Sequence, residues 1–392
     1  MNPWKGLRGL PREVWIICGI TLVNRLGTMA LPFLVLYLTE GRRWTPQEAG
    51  LGMMVYGAGA LAAGPFSGRL ADRLGHGHIL KASLWSSGVM LLLLPLAGSR
   101  PLIFAVIFLW AGLTQAFWPS SMALLTGLAP LERRKAVFAL HRLAVNLGMA
   151  VGPAVGGFIA HHSYRWVFWT DGLTTLAGAA LLSLVLGPRD RPALPHDHPP
   201  GASPWRDGRL ALLLLPFVPL LMVFFQIEGV LPLWVVRDLG LGARFYGFLF
   251  TVNTLLIVVA EVALNLAMGA WSHGRQLLAG ALCFAAGFGL TAWATTPATL
   301  VLTTVVWTFG EMILFPAMSD AVATLAPPDR RGEYMGLMSL CFSAALALGP
   351  WVGVAAYARV GARGVWVATV PVCLAMGALL ARFRAQPRAP LA

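Results

Sequence analysis

The chain alternates long apolar runs with short polar stretches that collect Pro, Gly, Lys and Arg. An apolar run of about 20 residues crosses ~30 Å of hydrocarbon as a helix. Runs of that kind fall at 14–38, 49–70, 79–98, 102–128, 135–160 and 165–187 in the first half. The second half has them at 210–236, 244–270, 275–295, 298–324, 333–358 and 363–383. The pattern predicts twelve spans. The first run is too long for a signal peptide and lacks a small-residue cleavage site, so it is expected to remain as the first span. Gly and Pro are common inside the runs, which membrane helices tolerate at close packing and at kinks.

Composition narrows the class. Hydrophobic residues make up 57% and charged residues 11% of the chain, whereas soluble domains carry roughly a quarter of their residues charged. This excludes an ordinary soluble enzyme, a disordered chain and a nucleic-acid-binding protein. The net charge of +13 acquires its meaning from where the basic residues lie. With the N-terminus cytoplasmic, 19 of the 29 Lys and Arg fall on the inner side and 8 on the outer side, leaving Arg25 and Arg142 within spans. That bias predicts both termini inside. Cys18, Cys283, Cys341 and Cys373 lie in apolar runs without paired spacing, which suggests neither a disulfide nor a thiolate metal site. The paired histidines sit in loops or at span ends and lack a third ligand, so no metal site is expected.

The longest polar gap, Pro188 to Arg209, is rich in Pro, Gly and charge, as a linker would be. It divides the chain into 1–187, a linker 188–209, and 210–392. The two halves repeat. Pro119 and Pro316, Pro130 and Pro327, Arg133 and Arg330, and Arg134 and Arg331 are all 197 residues apart. So are Gly152 and Gly349, Pro153 and Pro350, and Gly156 and Gly353. Leu31-Pro32 and Leu231-Pro232 form a further pair 200 apart. The expected fold is all-α and integral to the membrane, with twelve transmembrane helices in two pseudo-symmetric six-helix bundles.

Three motifs carry a family resemblance. The loop after span 2 reads GRLADRLG, with Gly68, Asp72 and Arg73 in the positions of a G-x-L-a-D-r-x-G signature. Span 5 holds Gly148, Gly152, Pro153, Gly156 and Gly157 at G-x-x-x-G-P-x-x-G-G spacing. Span 10 contains Gly310-Glu311, and span 11 opens on Arg331-Gly332-Glu333-Tyr334-Met335. In these features the chain resembles the major facilitator superfamily, and within it the twelve-span multidrug:proton antiporters. The span 5 motif is associated in that branch with export in exchange for protons. One departure stands out: family members often carry an Arg followed by Gln-Gly in span 4, whereas this chain runs from Leu109-Trp110 to Gln115 without one.

Ionisable and polar groups within membrane spans mark functional sites by default. Asn24 and Arg25 lie in span 1, Gln115 in span 4, Gln226 and Glu228 in span 7, and Glu311 in span 10. The resemblance implies that these four spans line a central cavity. Glu311 and Glu228 are therefore candidate proton carriers, with Glu261 in span 8 a third. A carboxyl group in a partly dry cavity can take up and release a proton near neutral pH. Arg25, Asn24, Gln115 and Gln226 are candidate cavity groups, and Trp110, Phe225 and Trp307 would supply an aromatic surface for a greasy substrate. Gly68, Asp72, Arg73, Arg142, Arg331 and the span 5 glycines are candidate motif or gate residues. Asp171 reads as a helix-end group near the outer interface, and His141 as a packed or interfacial histidine.

The expected activity is proton-coupled efflux of lipophilic or amphiphilic small molecules by alternating access, powered by the proton gradient with no cofactor. Partners are that substrate, protons and membrane lipids, with no nucleic acid, and the protein is expected to act as a monomer in the bacterial inner membrane. Lipid or glycolipid flipping is the alternative. A non-transporting receptor and an intramembrane enzyme are disfavoured, because no soluble input domain and no nucleophile–base pair or metal triad is present.

Overall fold

The structure is a computed structural model that describes residues 10–128, 133–185, 204–327 and 330–383. The linker expected at 188–209 falls largely outside the described residues. Among those described there is no strand. The longer helices are α1 (Arg12–Gly27), α2 (Pro46–Leu74), α3 (His76–Leu93), α4 (Arg100–Thr114), α5 (Phe117–Leu128) and α6 (Arg134–His162). They continue with α7 (Tyr164–Val185), α8 (Gly208–Phe224), α9 (Gly242–Ala267), α10 (His273–Leu290), α11 (Pro297–Leu325) and α12 (Arg331–Ala381). By length and composition, nine helical stretches among the described residues are able to cross a membrane. They do not include α2 or the 16-residue α1, and they count the 51-residue α12 once.

Proline explains where the apolar runs break. A Pro ring collides with the carbonyl four residues back and brings no N–H of its own. Pro32 meets Thr28 in this way: α1 stops at Gly27, the chain turns through residues 28–33, and helix resumes at Leu34–Leu36. Pro119 stands four residues after Gln115, where α4 gives way to α5. Pro232 stands four after Glu228, and the chain beyond α8 turns through Phe225–Ile227 before helix resumes at Val230–Pro232. α12 changes direction at Gly361, whose φ of 69° only glycine adopts freely.

The helices group into two compact units. One comprises Met1–Arg43, Val55–Pro195 and Ala243–Thr254; the other comprises Trp44–Met54, His196–Gly242 and Leu255–Ala392. In the first unit α1 packs on α6 and α7, and α3 packs on α4, α5 and α7. Its apolar centre joins Val14, Ile17 and Ile20 of α1 to Leu84, Phe117, Leu125, Val137 and Leu182. Lipid tails are as apolar as these side chains, so close backbone approach has to supply the attraction between helices. Glycines provide it. A Cβ on Gly148 would strike Arg25, and one on Gly152 would lie 2.8 Å from the Arg25 carbonyl oxygen. One on Gly156 would press on Met29. The span 5 motif is thus the surface on which α1 and its break rest. Gly157 faces the backbone of Ala243 and Arg244 at the start of α9. There Tyr246 donates from its hydroxyl to the Pro32 carbonyl at 3.0 Å, and Thr251 donates to Ala150 at 2.7 Å.

In the second unit α12 packs on α8 and α10, and α10 packs on α11. Phe288 stacks between Trp307 and Trp366, with ring centroids 5.5 and 6.2 Å away. The repeat reappears at Gly349 and Gly353, which stand where Gly152 and Gly156 stand in the first half. A Cβ at 349 would meet the Met222 backbone, and one at 353 would collide with the Gln226 carboxamide.

Candidate functional site

The break after α1 leaves the Ala30 N–H with no backbone acceptor among the described residues, while the Met29 N–H reaches the Gly27 carbonyl at 2.7 Å. Met29 and Ala30 donate theirs to Asp171 Oδ2 on α7, at 3.2 and 3.0 Å. Thr175, one turn further along α7, donates to Asp171 Oδ1 at 3.4 Å and accepts from Asn24 Nδ2 at 3.3 Å. Asp171 is 5% exposed. The sequence reading placed it at a helix end by the outer interface; it lies two turns inside α7 and holds the α1 break. Membrane acids that satisfy an interrupted helix in this way are part of how such breaks survive without water.

Beside this network the first unit has a partly open cavity of about 120 Å³, room for a few water molecules. Asn24, Arg25 and Thr28 line it from α1, Tyr56 from α2, Ser83 and Ser87 from α3, Trp110 from α4, and Asp171 and Thr175 from α7. Arg25 sits with its guanidinium carbon 5.6 Å from the Phe117 ring centroid and 5.9 Å from that of Trp118, within cation–π range. Its Nε is buried without a hydrogen-bond partner among the described residues. His141 packs on Trp118 and lies 3.3 Å from the Ser121 hydroxyl.

Of the residues singled out from the sequence, Asn24, Arg25 and Trp110 meet at this cavity. Gln115 is half-buried at the α4–α5 break and is not part of the lining. Gln226, Phe225 and Glu228 belong to the break after α8. Gln226 donates through Nε2 to Gly349 at 2.7 Å and to Met222 at 2.9 Å. Glu228 Oε2 is buried and has no hydrogen-bond partner among the described residues. Trp307 is buried against Phe288. Glu261 on α9 and Glu311 on α11 are both half-buried. Asn265 ties their helices together, donating to the Glu261 carbonyl at 2.8 Å and the Met312 carbonyl at 3.3 Å. Arg73, Arg142 and Arg331 are exposed. The side chains at Gly68 and Asp72 lie outside the described residues. Tyr334 of the span 11 motif is buried and donates to Asp207 Oδ2 at 2.7 Å, while Asp207 Oδ1 accepts from the Arg209 N–H at the start of α8. No group of three metal-ligating side chains occurs among the described residues.

Sequence reasoning missed Asp171, Thr175, Tyr56, Ser83 and Ser87. Two signals pointed to Asp171: its position well inside an apolar run, and a Leu-Pro pair in span 1 whose break needs acceptors from elsewhere.

Comparison with known proteins places this architecture. Residues 17–243 and 227–392 match the model of the Major Facilitator Superfamily. A Na(+), Li(+), K(+)/H(+) antiporter of Planococcus maritimus is 25% identical, over 85% of this chain and 87% of its own. The multidrug resistance protein MdtH of Aeromonas salmonicida is also 25% identical, over 86% of this chain and 85% of its own. The fold is similar to that of a peptide transporter POT crystallised in complex with sulfate, with a TM-score of 0.82 at 17% identity over 96% of this chain and 95% of that one. Spanning helices, internal repeat and family match agree, and the chain is an integral membrane transporter that belongs to the major facilitator superfamily.

Proposed function

We propose that the protein is a proton-coupled antiporter that exports lipophilic or amphiphilic small molecules by alternating access. The observation that carries this reading is Glu228. Its Oε2 is buried without a hydrogen-bond partner among the described residues, in a turn that Pro232 forces open. A buried carboxylate oxygen without a partner is costly, and taking up a proton lowers that cost. Glu311 and Glu261 are the further coupling candidates. The relatives support the reading, since one is a cation/proton antiporter and another a multidrug resistance protein.

We assign the protein twelve spans in two pseudo-symmetric six-helix bundles, 1–187 and 210–392, with a cytoplasmic linker at 188–209. The seven residue pairs 197 apart support the repeat, and the Lys and Arg bias supports cytoplasmic termini in a bacterial inner membrane. Gly68, Asp72, Arg73, Arg142 and Arg331 are assigned to motif and gate roles.

The test is efflux of a fluorescent lipophilic cation in everted vesicles under an imposed pH gradient. Glu228→Gln is expected to abolish gradient-driven transport while leaving the amount of folded protein unchanged, with Glu311→Gln and Glu261→Gln as companions. Normal gradient-driven transport in all three variants would overturn the coupling assignment. A second reading, translocation of a lipid with an anionic headgroup, is favoured by Arg25 Nε, which has no hydrogen-bond partner among the described residues. Labelled-lipid translocation by the reconstituted protein, compared with dye efflux, separates the two.

A further inference from the structure

We propose that Asp171 is a second proton-binding site, built into the first unit and read out by the helix break at residues 28–30. The proposal deepens the antiport reading by adding a site in the other half of the chain.

Three features coincide at this residue. Its carboxylate is buried, and one oxygen holds two backbone N–H groups of an interrupted helix. It borders a cavity with room for water. The same cavity holds a guanidinium with a buried Nε that meets no partner among the described residues, and no ion pair joins the two groups there. A carboxylate that served only as a cap would need neither the cavity nor the cation that lines it. A proton carrier needs a route for the proton and an element that feels its arrival.

The step is simple in its atoms. A hydronium ion in the cavity gives a proton to Oδ1, forming the O–H bond and leaving a water molecule. Oδ1 then donates to Thr175 Oγ1, whose own hydroxyl turns away. Oδ2 stays an acceptor for Met29 and Ala30, but as a neutral carbonyl. Hydrogen bonds to an ionised acceptor are roughly twice as strong as neutral ones. Protonation therefore loosens the hold on the break and removes a negative charge that shares the cavity with Arg25. The break lies directly on the Gly152 and Gly156 surface of α6, so a change in its geometry is passed to that helix.

The surrounding titratable and charged groups are few. Arg25 on α1 and Tyr56 on α2 share the cavity. The α3 lining residues Ser83, Leu84, Ser87 and Leu91 carry no charge. α6 adds nothing to the lining, and its His141 packs on Trp118. Tyr37, which packs on Phe168 of α7, has its hydroxyl held by Arg42.

The experiment is pH-difference infrared spectroscopy of the full chain in lipid nanodiscs, with no substrate and no transport required. The expected result is a protonated-carboxyl band that appears on acidification, shifts when aspartate is labelled with ¹³C, and is lost in Asp171→Asn. Asparagine keeps a carbonyl for the two N–H groups, so the break is expected to survive the change. If Asp171→Asn does not fold, Arg25→Gln takes its place: the pH midpoint of the labelled band must move, because Arg25 shares the cavity with Asp171. A spectrum without a ¹³C-aspartate-sensitive band overturns the proposal, as does a band unchanged in Asp171→Asn or a midpoint unmoved in Arg25→Gln. Loss of coupled efflux in Glu228→Gln with no aspartate band would sink this inference alone. An aspartate band in a protein that exports nothing would sink the antiport reading alone.

Discussion

Gln226 and Gly353 should be energetically coupled, and the coupling tests how the second unit is packed. Gln226 is 5% exposed, and its Nε2 donates to Gly349 at 2.7 Å and Met222 at 2.9 Å. Its carboxamide lies so close to the α carbon of Gly353 that an added methyl would occupy the same space. A Cβ on Gly229 would lie 3.0 Å from Gln226 Oε1, so little room remains for retreat on that side. Gly353→Ala must then expel the carboxamide and break both hydrogen bonds. At about 0.5–1.5 kcal/mol net for each bond, the loss is about 1–3 kcal/mol. Gln226→Ala forfeits the same two bonds. In the double variant the new methyl fills the vacated space, so the second change costs little. The expected coupling is about 1–3 kcal/mol, inside the range for residues in contact. Equilibrium unfolding of the purified chain in mixed micelles, across wild type, both single variants and the double, measures it. Gly152→Ala is the control, because its methyl would face the carbonyl oxygens of Arg25, Leu26 and Thr28 at 2.8, 3.0 and 3.3 Å, which no side-chain truncation can remove. If the two single effects simply add, Gln226 is not seated against residue 353 and the packing argument fails.

Three further outcomes are expected from the same unfolding measurement. Asp171→Ala strands the N–H of Ala30, at about 1–3 kcal/mol for a buried orphan, while that of Met29 keeps the Gly27 carbonyl at 2.7 Å. Asp171→Asn should cost distinctly less, and equal losses would show that the two bonds do not matter. Gly64 has nothing within 4 Å of a built Cβ, so Gly64→Ala should be neutral or stabilise by up to about 1 kcal/mol through helix propensity; a clear loss of stability contradicts the open face. Tyr334→Phe removes the bond to Asp207 at about 1 kcal/mol, since one partner is partly solvated, and an unchanged midpoint would mean the motif tyrosine holds nothing there.

Much of the fold is visible in the order of residues, and the reason is the solvent. A membrane helix must satisfy its backbone within itself, so each span announces itself as an apolar run, as at His76–Leu93 and Tyr164–Val185. The glycine surface was equally readable: Gly152 and Gly156 repeat as Gly349 and Gly353, and both pairs prove to be places where one backbone rests against a neighbouring chain segment. What stayed hidden depends on distant partners. Asp171 receives its role from N–H groups 141 and 142 residues away. Trp307 sits on a span expected to face a cavity, yet the ring stacks on Phe288, because rotation of a helix about its axis is set by neighbours rather than by its own pattern. Arg142 illustrates the converse, a charge counted within a span that the packing leaves exposed.

The breaks join the readable part to the hidden part. Pro32, Pro119 and Pro232 each stand four residues after a polar side chain, and those residues are Thr28, Gln115 and Glu228. The steric rule that excludes the carbonyl four residues back places each of them at a turn rather than in a helix. Two of the turns are then completed differently. After α1 the freed N–H groups borrow a carboxylate from α7, whereas the turn after α8 carries a carboxylate of its own, without a hydrogen-bond partner for Oε2 among the described residues. Positions 28 and 228, 200 residues apart, thus pair a neutral threonine beside a borrowed acid with an acid whose Oε2 has no hydrogen-bond partner among the described residues. Both breaks follow from proline while the source of the charge differs, which is why the breaks could be read from the sequence while the acids had to be found in the folded chain.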